Sequence, residues 1–277
     1  SSMEEFTKRF EIFKQSLIEV LAADDFEGDH TVGITKFSDM TKEEFKSTFL
    51  TLKVENGWCS QGLKFLAAND APETLDWREK GAVSPVKDQG QCGSCWAFSA
   101  VAFLESQNLI KSQKLATFSE QQLVDCDRDT NMGCNGGLMH TALKYVKAKG
   151  LEGDSKYPYK ARDQTCKYSK KDTIVGADNV QCYENSSVDQ IKNYLNNIGP
   201  LSIAVDATDF QSYSSGILKC SEAFLNHGVL LVGYGKDYWI VKNSWGQNWG
   251  EKGFVRVSQS SGQDCGIGTY IAAADLK

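Results

Sequence analysis

The stretch QGQCGSCWAFSA, residues 89–100, places Cys92 and Cys95 three residues apart in a glycine-rich turn, directly ahead of an apolar run. Such a pair can bind a metal, form a redox dithiol, or divide into one bridged cysteine and one reactive thiol. A zinc site needs a second ligand pair at matching spacing, whereas Cys126 and Cys134 are separated by seven residues. A redox dithiol needs a thioredoxin-like βαβ setting, which the surrounding sequence does not supply. We therefore favour the third interpretation, in which one cysteine of the pair is bridged and the other is a reactive thiol.

Cys95 has the position expected of a reactive thiol. It falls in the first turn of a helix predicted over residues 95–111, where unpaired backbone N–H groups and the helix dipole favour an anion. Cys92 lies in the preceding loop and is free to be bridged. An unperturbed cysteine is only about 3% thiolate at pH 7, and a neighbouring imidazolium raises that fraction. We therefore expect a histidine opposite Cys95.

The chain has three histidines, so the search for this base is short. His30 lies in the N-terminal part of the chain. His140 follows the motif CNGGLM on a predicted helix, where a polar surface role is the expected one. His227, in LNHGVLLVGYG, opens an apolar strand and can face Cys95 across a cleft. We therefore predict that His227 is the acid/base.

A catalytic imidazole also needs a partner for its second nitrogen. Asn243, in VKNSWGQNWG after the next predicted strand, is the candidate, and Trp245 can shield the pair from water. Gln89 can offer its side-chain amide, together with the backbone N–H of Cys95, to a developing oxyanion. Each such donor is typically worth about 10²–10³ in rate.

Composition limits the remaining function classes. The chain has 277 residues, of which 41% are hydrophobic and 24% charged, and no apolar run approaches the length of a membrane span. Residues 1–70 carry 13 acidic and 8 basic side chains, while residues 71–277 carry 23 and 22. The net charge of −6 thus belongs mainly to the N-terminal segment. No basic arm suggests a nucleic-acid partner.

The cysteine count indicates an oxidising compartment. Nine cysteines in a chain of this size favour disulfides, and the odd number leaves at least one thiol unpaired. The N-terminal residues lack the apolar core of a secretory signal, so we expect any targeting peptide to have been removed. The one glycosylation sequon begins at Asn185 and fits a secretory route.

The N-terminal part reads as helical. Residues 3–23 have the spacing of one amphipathic helix, with the apolar positions Phe6, Phe10, Phe13, Leu17 and Leu21. Thr41 begins a capping-box pattern ahead of a second, short helix that contains Phe45 and Phe49. Between Thr51 and Asp70 the periodicity disappears, which is typical of an extended linker.

Beyond residue 71 the predicted secondary structure changes from helices to strands. Helices are predicted first, over residues 95–111, 119–126 and 137–149, and strands follow over 201–205, 229–234, 238–242 and 253–257. This order predicts an α+β body in two lobes.

Four motifs carry a resemblance that covers nearly the whole chain: QGQCGSCWAFSA, CNGG at residues 134–137, NHGVLLVGYG and NSWGQNWGEKGF. In this order they resemble a papain-family cysteine protease of the cathepsin L-like branch, in its proenzyme form. The resemblance implies that Cys95 is the nucleophile, His227 the acid/base, Asn243 its orienting partner and Gln89 the oxyanion donor. It implies a two-lobed papain-like fold, with one helical lobe and one β-barrel-like lobe on either side of the active cleft.

The resemblance divides the chain into an inhibitory prosegment, residues 1–70, and a peptidase body, residues 71–277. The helical lobe is expected mainly in residues 71–180 and the β-rich lobe in 181–277. The prosegment matches the family's patterns at Glu5, Arg9, Phe13, Gly33, Phe37 and Asp39 and departs from them at Ser16, Val20, Asp24 and Thr35. The family's first prosegment helix has no counterpart, so we expect either weaker inhibition or a chain that has been trimmed. Because paired carboxylates such as Asp39 lose their interactions on protonation, we expect activation to accelerate below about pH 5.

The resemblance also implies the substrate site. The backbone of a peptide would lie along Gly136 and Gly137, near Trp245, and the side chain second from the cut would enter a pocket lined by Leu138, Met139, Ala204, Leu225 and Tyr270. Tyr270 closes the floor without a charge, so we expect a preference for Leu, Val or Phe. The inserted loop of the family's exopeptidases has no counterpart, which favours an endopeptidase.

The partners expected from the resemblance are protein or peptide substrates, the chain's own prosegment and cystatin-type inhibitors, for a monomer in the lysosome or vacuole or outside the cell. No cofactor or metal is implied. The alternative is a catalytically silent papain-like binding protein, which usually lacks the nucleophile or the histidine, and both are present here.

Three disulfides follow from the resemblance alone: Cys92 with Cys134, Cys126 with Cys166, and Cys220 with Cys265. Cys59 in the prosegment and Cys182 in the body remain. They either bridge, which would tether the prosegment to the enzyme, or stay two unrelated thiols.

Overall fold

The structure is a computed structural model that describes residues 2–23, 29–54, 57, 59 and 70–277. Most of the predicted linker between Thr51 and Asp70 lies outside the described residues. The N-terminal segment forms two helices and one short strand: α1 (Met3–Ala23), β1 (His30–Val32) and α2 (Lys42–Phe49).

Helix α2 begins with the predicted capping box. The Thr41 hydroxyl accepts the backbone N–H of Glu44, and the Glu44 carboxylate accepts the backbone N–H of Thr41. The two bonds satisfy donors that a helix start leaves unpaired. They set the orientation that buries Phe45 and Phe49.

Helix α1 is present over the predicted residues, but its apolar face is not covered by the described part of the chain. Phe6 is 61% exposed and Leu21 is 59% exposed, and no α1 residue is buried. Polar contacts attach the helix instead, because both Lys8 and Arg9 pair with Glu44.

The first half of the body contributes three helices: α3 (Cys95–Ser112), α4 (Glu120–Cys126) and α5 (Met139–Lys149). The first turns of α3 are buried on every side, as its apolar sequence predicts. Helix α5 begins two residues later than predicted. A Cβ atom on Gly137 would lie 2.7 Å from both the Trp96 ring and the Asn131 side chain, so the chain there is fixed by close packing.

The second half supplies most of the strands. Three short strands and one helix precede or border them: β2 (Leu75–Asp76), β3 (Leu151–Glu152), β4 (Thr173–Val175) and α6 (Val188–Asn197). The main strands are β5 (Ala177–Glu184), β6 (Leu201–Val205), β7 (Tyr213–Leu218), β8 (His227–Tyr234), β9 (Tyr238–Lys242), β10 (Phe254–Ser258) and β11 (Tyr270–Leu276). The mixed α+β architecture is thus confirmed.

The main sheet has the strand order β1-β7-β10-β9-β8-β6-β11-β5, with β2 paired to β8. The described strands do not close into a barrel, since β1 and β5 stand at the two ends. The prosegment extends this sheet, because β1 pairs with β7 through His30 opposite Gly216. Helix α3 packs against β8, which places the start of the helix beside the start of the strand.

Candidate active site

Cys95 is the first residue of α3 and is fully buried. All nine cysteines lie in the described residues, and eight of them form disulfides, so Cys95 is the free one. The loop before it is held by the bridge from Cys92 to Cys134. The structure therefore divides the CxxC pair as expected, into one bridged cysteine and one thiol at a helix N-terminus.

The start of β8 meets the start of α3. A Cβ atom on Gly228 would lie 3.2 Å from the carbonyl oxygen of Cys95 and 3.1 Å from Sδ of Met139. A side chain at residue 228 would require these neighbours to shift by a few tenths of an ångström. The close approach places His227, the residue before Gly228, beside the first turn of α3.

Asn243 fixes the His227 ring. The Asn243 side-chain oxygen accepts the backbone N–H of Ser244 at 2.8 Å, which identifies it as the oxygen. Nε2 of His227 lies 2.8 Å from the same oxygen and must therefore carry a proton. Nδ1 is then the nitrogen free to exchange a proton. It is buried and makes no hydrogen bond within the described residues.

Trp245 covers this pair, as predicted. Its ring centroid lies 4.7 Å from that of His227, and the residue is 1% exposed. Three prosegment rings pack on its edge: Phe37 at 5.0 Å, Phe45 at 5.4 Å and Phe49 at 6.1 Å. The N-terminal segment therefore packs against Trp245, the side chain that covers His227.

Gln89 is fully buried and oriented by both lobes. Its Oε1 accepts the Ser244 hydroxyl at 2.7 Å, and its Nε2 donates to the carbonyl oxygen of Cys92 at 2.9 Å. The amide N–H groups therefore point toward the loop that precedes Cys95. This is the side on which an oxyanion donor is needed.

The prosegment passes between the two lobes at Thr51 and Leu52. The Thr51 hydroxyl donates to the carbonyl oxygen of Gly93 at 3.1 Å, and the Leu52 N–H donates to the carbonyl oxygen of Asn226 at 3.1 Å. A Cβ atom on Gly136 would lie 2.3 Å from the Thr51 carbonyl oxygen. The prosegment backbone therefore occupies the predicted substrate path.

Burial keeps the thiol and the imidazole neutral in this closed state. Desolvation raises the pKa of Cys95 to about 11 and is only partly opposed by hydrogen bonds to the sulfur from the backbone of Gly228 and Trp96. Desolvation lowers the pKa of His227 to about 4, opposed by the Asn243 side chain and the nearby backbone of Phe49. The closed state therefore does not favour the charged pair that the sequence suggests.

Three of the predicted pocket residues lie close to the start of β8. Met139 approaches Gly228, Ala204 pairs with Gly228 across β6 and β8, and Leu225 packs where a side chain on Gly266 would stand. Leu138 is held by its backbone N–H, which donates to the Asn131 side chain at 2.8 Å.

The surface role expected for His140 is wrong. The residue is 4% exposed, and its Nδ1 lies 2.7 Å from the hydroxyl oxygen of Tyr270. The two residues are 130 positions apart, so the helical pattern around His140 contained no signal for the contact. It arises because the start of α5 packs beside β11.

Asp39 is not the carboxylate that carries the prosegment's ion pairs. Its backbone carbonyl accepts from Arg9, while the carboxylate paired with Arg9 and Lys8 is that of Glu44. The hydrogen bond from Arg9, then that from the Thr41 backbone, lowers the pKa of Glu44 to about 2. The same pairing raises the pKa of Arg9.

A buried charge network lies behind the site and was missed by sequence reasoning. Lys87 contacts the carboxylates of Glu105 and Glu120, each at 2.6 Å, and both carboxylates are buried. Lys242, one residue before Asn243, donates to the Ser84 hydroxyl at 3.0 Å. Lone charged residues in a sequence give no signal for such a network, since most of them are solvated.

Four disulfides are present, three of them the pairs that the resemblance implies. The fourth joins Cys59 to Cys182, and the Cys59 backbone N–H donates to the Glu184 carboxylate at 3.0 Å. Of the two readings, the bridge is the one the structure supports. Among the described residues, no cluster of side chains could hold a metal ion and no helix is long and apolar enough to span a membrane.

A free thiol at a helix start, a histidine oriented by an amide and a peptide segment laid across the cleft between them define a thiol protease with its own inhibitor. Residues 71–274 match the family model of the papain family cysteine protease, and residues 1–45 match that of the cathepsin propeptide inhibitor domain (I29). The chain belongs to the papain family of cysteine proteases and carries the family's propeptide inhibitor domain.

Related proteins agree with this assignment. Vignain from Phaseolus vulgaris is 43% identical over 96% of this chain and 79% of its own length, and a cathepsin L-like proteinase from Fasciola hepatica is 44% identical over 88% and 78%. The solved structure of digestive procathepsin L 3 from Tenebrio molitor larval midgut has a TM-score of 0.91 at 35% identity and covers 99% of this chain and 93% of that one.

Proposed function

We propose that the protein is the zymogen of an endopeptidase that cleaves peptide bonds through a thioester on Cys95. The placement of His227 carries this proposal. Its Nε2 is held by Asn243, and the residue next to it touches the backbone of Cys95. A binding protein has no need of an oriented imidazole beside a free thiol.

The reaction begins once Thr51 and Leu52 have left the cleft. Water and substrate then reach the sulfur, and the proton moves from Sγ of Cys95 to Nδ1 of His227. The resulting ion pair is more stable when the site is no longer sealed, because burial penalises both charges. The thiolate attacks the peptide carbonyl, and the oxyanion receives hydrogen bonds from the Cys95 backbone N–H and the Gln89 amide.

The remaining steps use His227 twice. Its imidazolium gives the proton to the leaving amine, which departs and leaves a thioester on Cys95. The neutral ring then takes a proton from water, the hydroxide attacks the thioester, and the carboxylic acid leaves as the sulfur is regenerated. Asn243 keeps the ring in one tautomer throughout.

Acid is the proposed trigger for release of the prosegment. The Cys95–His227 pair holds the same number of protons in both forms, as thiol and neutral imidazole when closed and as thiolate and imidazolium when open, so this pair does not make release pH-dependent. The pH dependence of the closed form therefore rests on its carboxylate pairs. The Glu44 pairs stabilise it above the ordinary carboxyl pKa and are lost as pH falls toward about 2. Such conditions occur in a lysosome or vacuole, and the exposed sequon at Asn185 is consistent with a secretory route.

For the substrate we propose Leu, Val or Phe as the second residue before the cut, since the predicted pocket is lined by Met139, Ala204, Leu225 and Tyr270. Incubation at pH 4–5 with a thiol present, followed by an active-site-directed epoxide, tests the proposal. We expect hydrolysis of such peptides, the label on Cys95, and a new N-terminus near Ala71. Cys95→Ser should retain the fold and lose all three. Peptide binding by the wild-type chain without hydrolysis or label would favour the silent binding protein.

A further inference from the structure

The hydrogen bonds of His140 and Tyr270 fix the protons between them. The backbone N–H of His140 donates to the Tyr270 hydroxyl oxygen at 3.1 Å, and Nδ1 of the ring lies 2.7 Å from that oxygen. The hydroxyl has one proton, and among the described contacts Nδ1 is the acceptor available to it, so we assign the hydroxyl as the donor to Nδ1. The His140 ring is then neutral, with its own proton on Nε2.

Burial favours this neutral arrangement. Tyr270 is 0% exposed and His140 is 4% exposed. Desolvation, with a smaller contribution from Lys144 on α5, lowers the pKa of His140 to about 4. Glu184, opposite Tyr270 on β5, is a second charge that acts on the pair, and its carboxylate also accepts the Cys59 N–H.

The pair lies directly behind the pocket wall. Met139, which precedes His140, approaches Gly228 beside Cys95. Ile271, which follows Tyr270, pairs with Ile203 in β6, next to Ala204. Tyr270 and Ala204, which flank the Ile271–Ile203 pair, therefore lie on the same face of the sheet.

We propose that His140 is a positioning residue for substrate specificity, which holds the Tyr270 ring as a fixed, apolar floor for the side chain second from the cut. This rests on the proposed endopeptidase function. Since the Tyr270 hydroxyl is hydrogen-bonded to the backbone N–H and the ring of His140, it is not available to bond a polar or charged substrate side chain. Since the ring cannot retreat, the pocket is limited in depth and takes Val and Leu better than Phe.

The test compares kcat/KM for three peptides that differ only in Val, Leu or Phe at this position. We expect His140→Leu to raise the Phe-to-Val ratio about tenfold through KM, with little change in kcat, because the freed ring can move. His140→Asn places an acceptor near the position of Nδ1 and should restore the original ratio. If His140→Leu does not fold, Tyr270→Phe, which deletes only the hydroxyl, should raise the ratio in the same direction.

An unchanged ratio in a folded His140→Leu or Tyr270→Phe enzyme would overturn the role of His140. In the wild-type enzyme the ratio should also rise as the pH falls through about 4, where His140 takes up a proton and the hydroxyl loses its acceptor. A complete lack of hydrolysis of all three peptides by the wild-type chain would instead refute the proposed function.

A second inference follows independently from the Cys59–Cys182 disulfide. Cys59 belongs to the prosegment and Cys182 to β5 of the body, so a cut anywhere between residues 60 and 70 leaves the prosegment covalently attached. A tethered inhibitor acts at an effective concentration of the order of millimolar for a short link. We infer that release of the prosegment requires both hydrolysis of the chain and reduction of this disulfide.

The reductant is a thiol. Two thiol molecules, or one dithiol, reduce the bridge by exchange, which leaves Cys59 and Cys182 as free thiols and the reductant as its own disulfide. Activation should then need acid and a reducing compartment together. Acid alone should give a two-chain species that is still inhibited.

Mass spectrometry without reduction tests this inference on the full chain after acid incubation. We expect one covalent species, heavier than the intact chain by one water, with at least tenfold less activity than after addition of a thiol. Cys59→Ala should release its prosegment in acid alone. Release from the wild-type chain without any thiol would overturn the tether, whereas an inactive, fully released Cys59→Ala enzyme would contradict the proposed function.

Discussion

The backbone N–H of Leu52 donates to the carbonyl oxygen of Asn226 at 3.1 Å, one residue before His227. The inhibitor is therefore bonded to the body immediately beside the proposed base, and its neighbour Thr51 reaches the loop that precedes the nucleophile. Occupation of the cleft and neutrality of the catalytic pair are two consequences of one contact, because the same residues that fill the cleft exclude water from it.

The aromatic contact between Phe37 and Trp245 should control how tightly the prosegment is held. Phe37 is 1% exposed, and truncation of a buried phenylalanine costs about 3–5 kcal/mol. We expect Phe37→Ala to accelerate activation at pH 6, with a thiol present, by at least tenfold. Phe6→Ala, at a ring that is 61% exposed, is the matched control and should activate like the wild type.

The charge of Glu44 should contribute to the pH dependence of activation. Glu44→Gln keeps a residue that can complete the capping box but loses the ion pairs with Arg9 and Lys8. Because the Glu44 pKa is lowered to about 2, the variant should activate faster than the wild type above pH 4.5, by a few-fold, and the difference should shrink as the pH falls toward 2. Glu43→Gln, the exposed neighbour, serves as the control. Equal rates for both variants at pH 6 would show that the pairs do not hold the prosegment.

Asn243 should affect the rate rather than substrate binding. Loss of a hydrogen bond to a charged group costs about 1.5–3 kcal/mol, so Asn243→Ala should lower kcat about 10- to 100-fold with little change in KM. Asn243→Asp keeps an acceptor for Nε2 and should retain more activity, with the alkaline limb of the pH profile moved upward. A rise in KM alone would contradict the orienting role.

Lys87 should matter for stability because it is the cation between two buried carboxylates. Lys87→Met leaves Glu105 and Glu120 without it, and breaking a buried pair costs about 3–5 kcal/mol. This corresponds to a fall in Tm of about 6–20 °C for a body of this size. Lys36→Met, which breaks the exposed pair with Asp88, should cost under about 1 kcal/mol. Thermal unfolding of the two proenzyme variants compares them directly.

The sequence predicted those features that depend on local pattern. Helix α3 and its cysteine, the capping box at Thr41 and the strand that begins at His227 each follow from residues within a few positions of one another. The family resemblance, which pairs six cysteines and makes Cys95 the nucleophile, left Cys59 and Cys182 over, although it could not decide whether they meet. That question depends on where the chain places a prosegment residue relative to an edge strand.

What the sequence did not predict depends on contacts between distant segments. His140 looks like a surface residue until the start of α5 is packed beside β11, and Lys87 looks solvated until α3 and α4 bring their carboxylates to it. The neutral state of Cys95 and His227 also depends on contacts between distant segments. Motifs identify Cys95 and His227, but their pKa values are set by how completely the prosegment covers them.

The reactivity of Cys95 toward iodoacetamide, followed against pH before and after removal of the prosegment, reports on the Cys95–His227 ion pair itself. In the proenzyme we predict no alkylation between pH 4 and 8. In the released enzyme we predict rapid alkylation already at pH 5, far below the ordinary thiol pKa of about 8.5, and its loss in His227→Ala. A released enzyme whose Cys95 reacts only above pH 8, with or without His227, would contradict the account.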